Sequence, residues 1–299
     1  MASLPDILDR ELPGLQHTVP LAPYCAYRVG GPAEHLYLAT RTEDLRHAVV
    51  VGHELGLPVT VLGQATNVLV SDRGVPGLLV LARNDAVVLD GELVTAGAGA
   101  LLPEVVIDLA QRGLAGLEFA GNIPGSIGGA VVGNAGAYGR AVGDALVRTR
   151  VLAGSTEHLA TPADLDLGYR TTGLKRNRDA VVLEATFAVS GGSRSRLLDE
   201  IAHDAELRRG KHPLEYASCG SYFKNPSREV PAAKLIDELG LKGFRKGRAE
   251  VSRKHANFIV ALPGAGAADV LLVADEVRRR VFERFGVRLE EEVVLIGFD

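Results

Sequence analysis

Five stretches of this 299-residue chain carry side chains of the types and spacings that chemistry requires. Two are glycine-rich and hold short polar side chains: LGQATNVLVSDRGVPG at 62–77 and AGNIPGSIGGAVVGNAGAYG at 120–139. Successive backbone N–H groups in such loops form concave nests that bind phosphate without cationic side chains. Either loop alone reads more simply as a turn-rich connection. The pair suits a diphosphate held from two sides. The third stretch is CGSYFKNP at 219–226. A serine after a glycine is ordinarily a turn residue, but here two aromatics, Lys224 and an Asn-Pro pair follow it. Such a segment could present the Ser221 hydroxyl rigidly beside a flat cofactor. The fourth, LGYRTTGLKRN at 167–177, places Arg170 ahead of a strand. The fifth, VRLEEEVVLIG at 287–297, sets three acids inside an otherwise apolar strand pattern.

Other chemistries are excluded by what is missing. There is no G-x-x-x-x-G-K-S/T loop, no H-E-x-x-H, no C-x-x-C and no G-x-S-x-G elbow. No metal is expected. Gly97-Ala98-Gly99 could open a dinucleotide fingerprint, but Leu102 stands where the third glycine belongs. Thirty-three Lys+Arg against 37 Asp+Glu give −4, so no basic field points to nucleic acid or an anionic membrane. Two cysteines are too few for a disulfide framework. The charge-free run at 119–139 is 21 residues long, but seven glycines and a proline give it poor helix propensity, so no membrane span is expected. The N-terminal MASLPDILDRELPG has acids where a signal peptide needs a positive start. A soluble, cytoplasmic protein is the expectation.

The elements that must position these groups change in texture along the chain. HLYLA, PVTVLG and NVLVS read as strands, with EDLRHAVVVGHELG as a helix that Gly56 stops. AVVLDGELVTAG predicts a hairpin turning at Asp90-Gly91 with type I′ geometry. PEVVIDLAQRG reads as a helix, and VRTRVLAGSTEHLA and AVVLEATFAV as further strands. SGGSRS at 190–195 is the expected linker. Helices follow it. In DVLLVADEVRRRVFERFG, Val270, Ala274, Val277, Val281 and Phe285 keep a 3.6-residue period and so form a core stripe. The architecture is α+β, with a β-rich, glycine-laden front and a more helical rear.

Taken in order, Tyr27-Arg28-Val29-Gly30-Gly31-Pro32-Ala33, the loop at 63–67, IPGSIGGAVVGNAGAYG, GYR, GSYFKNP, KHANF and LEEEV form one set. From about residue 18 to its end the chain resembles the UDP-N-acetylenolpyruvoylglucosamine reductase family, flavoenzymes of bacterial peptidoglycan precursor synthesis. Two departures stand out. The usual G-x-G-S-N loop reads Gly63-Gln64-Ala65-Thr66-Asn67, and Asn122 replaces a glycine before Ile-Pro-Gly. The short stretch after Arg170 resembles the compact subtype that lacks a tyrosine-bearing insertion.

The resemblance implies an FAD-binding fold of the vanillyl-alcohol-oxidase/PCMH type in two subdomains, 1–66 with a returning strand at 294–299, and 67–193. A C-terminal α+β substrate-binding domain would span 194–293. It implies non-covalent FAD, with NADPH as co-substrate. Flavin contacts would come from Gly63, Gln64, Ala65, Thr66 and Asn67, and from Asn122, Ile123, Pro124, Gly125, Ser126, Gly128, Gly129, Asn134, Gly136 and Ala137. Hydride addition to C3 of the enolpyruvyl ether builds charge at C2 and on the carboxylate. By resemblance Ser221 would protonate C2, Arg170 would face the carboxylate, and Glu292, protonated, would stand on its other side. Tyr169, Lys211, Asn225 and His255 would contact substrate. The alternatives are another FAD-dependent oxidase or dehydrogenase of this fold, or a non-catalytic nucleotide-sugar binding protein. A binder would be colourless, and an oxidase would not be bleached by NADPH.

Overall fold

The computed structural model describes residues 3–177, 179–227 and 229–298. Met1, Ala2, Arg178, Arg228 and Asp299, which the expected domain ranges include, lie outside them. Contacts divide the chain into two compact units, one of 1–19, 34–64 and 76–205, the other of 20–33, 65–75 and 206–299. These units do not follow boundaries at 66/67 and 193/194. Residues 20–33 and 65–75 go with the rear of the chain.

In the first unit a four-stranded sheet runs in the order Gln16–Pro20, Pro32–Ala39, Val75–Ala82, Val59–Leu62. Its last two strands are parallel, Val59 opposite Leu78 and Leu62 opposite Leu81. The helix Thr42–Glu54 carries Glu43 and Asp44 in its first turn, where the helix dipole favours acids. It buries Leu45, Ala48 and Val49, and Gly56 closes it at φ +70°. A five-stranded antiparallel sheet has the order Thr156–Ala160, Leu146–Ala153, Ala180–Ala188, Leu93–Gly97, Val87–Asp90. The predicted hairpin is there, but Asp90 pairs with Leu93, so the two-residue turn is Gly91-Glu92. Only Gly91 has positive φ, which excludes type I′ and fits the requirement of type II′ for glycine at the first turn position.

The segment expected as a linker is structured. Ser190–Gly191 pairs with Leu114–Ala115, and Gly192 N–H donates to Gly113 O at 2.8 Å. The helix Arg194–Lys211 begins directly afterwards. Small polar residues here add a strand edge, because an edge needs backbone rather than side chains.

The second unit has its own core. On the helix Ala267–Phe285 the predicted stripe is fully buried at Val270, Ala274, Val277 and Val281, and Phe285 packs against it partly exposed. Beside it lie the helix Ala232–Glu238 and the antiparallel strands Arg245–Lys246, Ala249–Val251 and Ile259–Ala261. The final strand Val294–Ile296 runs parallel to Val68–Val70, so it closes this unit. Two backbone crossings join the front segments of the unit. A Cβ on Gly31 would overlap the Asp72 carbonyl, and one on Gly74 would overlap that of Pro32. Asp72 then caps the long helix, its carboxylate accepting from Ala267 N–H at 2.7 Å and Ala268 N–H at 3.0 Å. Among the described residues no helix is long and apolar enough to cross a membrane.

Candidate active site

The start of the first glycine-rich loop, at Gly63, meets the second loop within the first unit. Ser126 caps the helix Ile127–Gly133, its hydroxyl accepting from Gly129 N–H at 3.4 Å. Gly63 lies against that hydroxyl so closely that any Cβ would overlap it, and Arg83 holds the Gly63 carbonyl at 2.9 Å. On the inner side of the same helix a Cβ on Gly128 would come 2.9 Å from Ala98 Cβ. On the outer side the surroundings are open. A Cβ on Gly129 would meet only Ser126 Oγ at 3.5 Å, and one on Gly133, a turn later, would meet nothing within 4 Å. The Ile127 and Gly128 N–H groups donate to the carbonyls of Ala100 and Ala98, both at 2.9 Å, and are thus committed within the protein.

The other predicted flavin contacts around this helix have visible structural partners. Asn122 donates to Ile201 O at 2.8 Å. Ile123 donates its N–H to Ala120 O at 3.0 Å, Pro124 is exposed, and Gly125, at φ +138°, accepts from Leu102 N–H at 3.0 Å. Asn134 ends the helix at φ +42° and donates to Gly168 O at 3.0 Å. Thr172, fully buried, donates to Val132 O at 2.8 Å. Gly136 and Ala137 pair with Ala141 and Arg140. The Gly168-Tyr169-Arg170 turn is thereby fastened to the end of the glycine-rich stretch. Arg170, itself at φ +56°, donates from Nη2 to Gly136 O at 2.7 Å and lies 5.5 Å from the centroid of the exposed Tyr169 ring. One guanidinium nitrogen is thereby anchored on the glycine-rich stretch.

In the second unit Ala65 has φ +46° and accepts from Ala26 N–H at 3.2 Å. This is the position where the family loop has glycine, and alanine holds the left-handed conformation at a cost of about 1–2 kcal/mol. Asn67 Nδ2 donates to Glu292 O at 3.0 Å, and Val294 N–H to Asn67 O at 3.0 Å. Gly220, at φ +80°, turns the chain into Ser221. The next residues pair with the acidic stretch: Glu292 N–H donates to Tyr222 O and Lys224 N–H to Glu290 O, both at 2.8 Å. The backbone therefore brings Ser221 and Glu292 onto adjoining extended segments, bridged at Phe223 and Glu291. Asn225 Oδ1 accepts from Ala232 N–H at 3.1 Å, at the start of the helix Ala232–Glu238. Lys211, exposed, ends the helix Arg194–Lys211.

His255 lines an open cleft of about 480 Å³ together with Lys234, Asp237, Lys242, Lys254 and Ala256. Its Nδ1 accepts from Asn257 N–H at 3.2 Å, and burial, with Lys242 nearby, holds its pKa below the ordinary histidine value. The neutral ring with Nε2–H follows. His212 stacks edge-on, centroids 5.4 Å apart, and burial with Arg208 beside it brings its pKa down to about 4. Sequence reasoning missed Lys242, Lys254, Asp72 and Asn257. Three of the four sit in motifs that carry other candidates, Lys254 and Asn257 in KHANF and Asp72 within the first glycine-rich loop.

The model for an FAD-binding domain matches residues 33–161, and that for the UDP-N-acetylenolpyruvoylglucosamine reductase C-terminal domain matches 212–296. Together with the α+β units they define an FAD-binding oxidoreductase, as the resemblance implied. A reductase of this description from Rubrobacter xylanophilus is 43% identical over 97% of this chain and 98% of its own length. One from Pediococcus pentosaceus is 41% identical over 96% and 95%. The crystal structure of the Thermus caldophilus enzyme superposes with a TM-score of 0.80 at 36% identity, covering 95% of this chain and 99% of that one. The chain belongs to the UDP-N-acetylenolpyruvoylglucosamine reductase family.

Proposed function

We propose that the protein reduces UDP-N-acetylglucosamine enolpyruvate to UDP-N-acetylmuramate, with NADPH as reductant, as a cytoplasmic monomer. FAD, when bound, would supply hydride-transfer chemistry between NADPH and C3 of the enolpyruvyl group. The open outer face of the helix Ile127–Gly133 fits such a group, since a flat or phosphate-bearing ligand could approach the backbone at Gly129 and Gly133 with only the small Ser126 hydroxyl nearby. The chain's own residues then manage charge. Arg170 takes the substrate carboxylate, where the guanidinium fork supplies parallel hydrogen bonds as negative charge develops. Ser221 supplies the proton to C2, and Glu292, protonated, donates a hydrogen bond to the enolate. Lys211, Lys242 and Lys254 attract the diphosphate, with Asn225, Tyr169 and His255 as further contacts.

The observation that carries this reading is the backbone bond from Glu292 N–H to Tyr222 O at 2.8 Å, which holds the serine and glutamate segments side by side. The test separates the half-reactions. Bleaching of flavin by NADPH needs no proton delivered to carbon, whereas re-oxidation by substrate does. Ser221→Ala should leave bleaching nearly unchanged and slow re-oxidation by roughly 10²–10⁴-fold. Ser221→Cys, which keeps a donor, should lose much less. An alanine variant re-oxidised at the wild-type rate would remove Ser221 from the mechanism.

A further inference from the structure

We infer that Asn257 is the positioning residue for Ser221, clamping the backbone that follows it. The argument starts from the hydrogen bonds of Tyr222 and Phe223, both fully buried residues. Tyr222 N–H donates to Asn257 O at 2.7 Å. Phe223 N–H donates to Asn257 Oδ1 at 3.0 Å, and Asn257 Nδ2 donates to Phe223 O at 2.8 Å. One side-chain amide thus satisfies both polar groups of a single peptide residue, as a neighbouring strand would. The opposite edge of the same segment is held by residues 290–292. Ser221 enters between two rails, directly after a glycine in the left-handed region.

Only an amide fits this place. Asn257 is 3% exposed, so water cannot substitute for it, and the side chain must both donate and accept. Serine or threonine is too short to reach both groups. Aspartate can accept from Phe223 N–H but, when ionised, sets a negative charge against the Phe223 carbonyl. Asn257 is itself aligned by the bond from its N–H to His255 Nδ1. Nothing in the reaction calls on the amide, and the residue acts only through the segment it holds.

The inference rests on the reading of Ser221 as the proton donor, and the experiment separates the two. Asn257→Asp and Ser221→Ala are compared with wild type, all flavin-loaded, by stopped-flow of each half-reaction across pH. Asn257→Asp is expected to bleach with NADPH at close to the wild-type rate. Its re-oxidation should fall by about 10²-fold, the cost of a ~1 Å misplacement of a reacting group. Relative to wild type at each pH, the loss should shrink as pH falls, because the new carboxyl gains a proton and can again donate to Phe223 O. Hydrogen–deuterium exchange of the peptide covering 221–224 should quicken at high pH, independently of turnover. Should Asn257→Asp fail to load flavin, Asn257→Ser carries the rate and exchange arms. Slow Ser221→Ala beside wild-type re-oxidation in Asn257→Asp overturns the clamp alone. Wild-type re-oxidation in Ser221→Ala overturns the donor reading and the clamp with it. Equal loss in both half-reactions of the Asn257 variants marks a merely structural residue.

Discussion

Replacing Gly129 with alanine adds one methyl to the outer face of the helix Ile127–Gly133. The protein itself tolerates it: the new Cβ meets only Ser126 Oγ, at an ordinary 3.5 Å. Alanine is also favoured over glycine in a helix by about 1 kcal/mol, so the apoprotein should be as stable as wild type or slightly more so. If the flavin lies on this face, the methyl intrudes on a fitted contact, and overpacking of that kind costs about 1–3 kcal/mol. At 1.4 kcal/mol per tenfold, FAD should bind roughly 5–150-fold more weakly. Gly128→Ala supplies the contrast. Its Cβ would lie 2.9 Å from Ala98 Cβ inside the packed face, so it should lower the apoprotein's melting temperature, with any flavin loss secondary. The assay pairs thermal melts of apoprotein with FAD titrations followed by flavin fluorescence. Gly125 offers no such test, because at φ +138° any side chain is strained before a ligand is considered. A Gly129→Ala protein that binds FAD as wild type does would refute the placement of flavin on this face.

Asp72→Ala should cost about 0.5–2 kcal/mol, the usual worth of a helix cap, read as a lower urea midpoint, because Ala267 and Ala268 N–H lose their acceptor. Asp72→Asn keeps one oxygen acceptor and should lose less; equal stability of all three proteins would show the cap to be idle. For His212 the folded pKa of about 4 lies below its ordinary 6.5, so the neutral form is favoured in the fold. Its stabilising contribution is full above 6.5 and is lost as pH falls toward 4, where the unfolded chain binds the proton more readily. The acid-side fall in melting temperature should therefore be shallower in His212→Asn, and an unchanged slope would assign that fall to other groups.

How much of this was legible depended on range. The buried stripe on Ala267–Phe285 and the helix Thr42–Glu54 were readable because periodicity is local, and capping acids and stop glycines sit within a turn of what they govern. The linker at 190–195 was misread because its composition says nothing of Leu114–Ala115, some 75 residues earlier, whose edge it completes. The hairpin was found but its turn was off by one residue, since Asp-Gly and Gly-Glu both offer a glycine and only the cross-strand register chooses. The grouping of 20–33 and 65–75 with the rear of the chain rests on long-range bonds, from Ala267 and Ala268 to Asp72, from Tyr27 to Ile259, and between Val68–Val70 and Val294–Ile296. Ser221, Arg170 and Glu292 came from motif resemblance, whereas Asn257 emerged only when its three bonds to Tyr222 and Phe223 were visible.

The glycines that first drew attention to the front of the chain turn out to serve two different physical ends. Gly31, Gly63, Gly74 and Gly128 are glycines because protein atoms occupy the space of a Cβ, so their absence of a side chain is consumed by packing. Gly129 and Gly133 have room to spare, and nothing in the fold asks them to be glycine. A helix ordinarily gains by replacing such residues, so glycine here costs helix stability, which a ligand lying against the backbone would offset. Glycine density by itself therefore overstates the phosphate nest, since the committed amides of Ile127 and Gly128 cannot take part. On the helix Ile127–Gly133 it is the open Gly129 and Gly133, and not the crowded Gly128, that mark where the cofactor should lie.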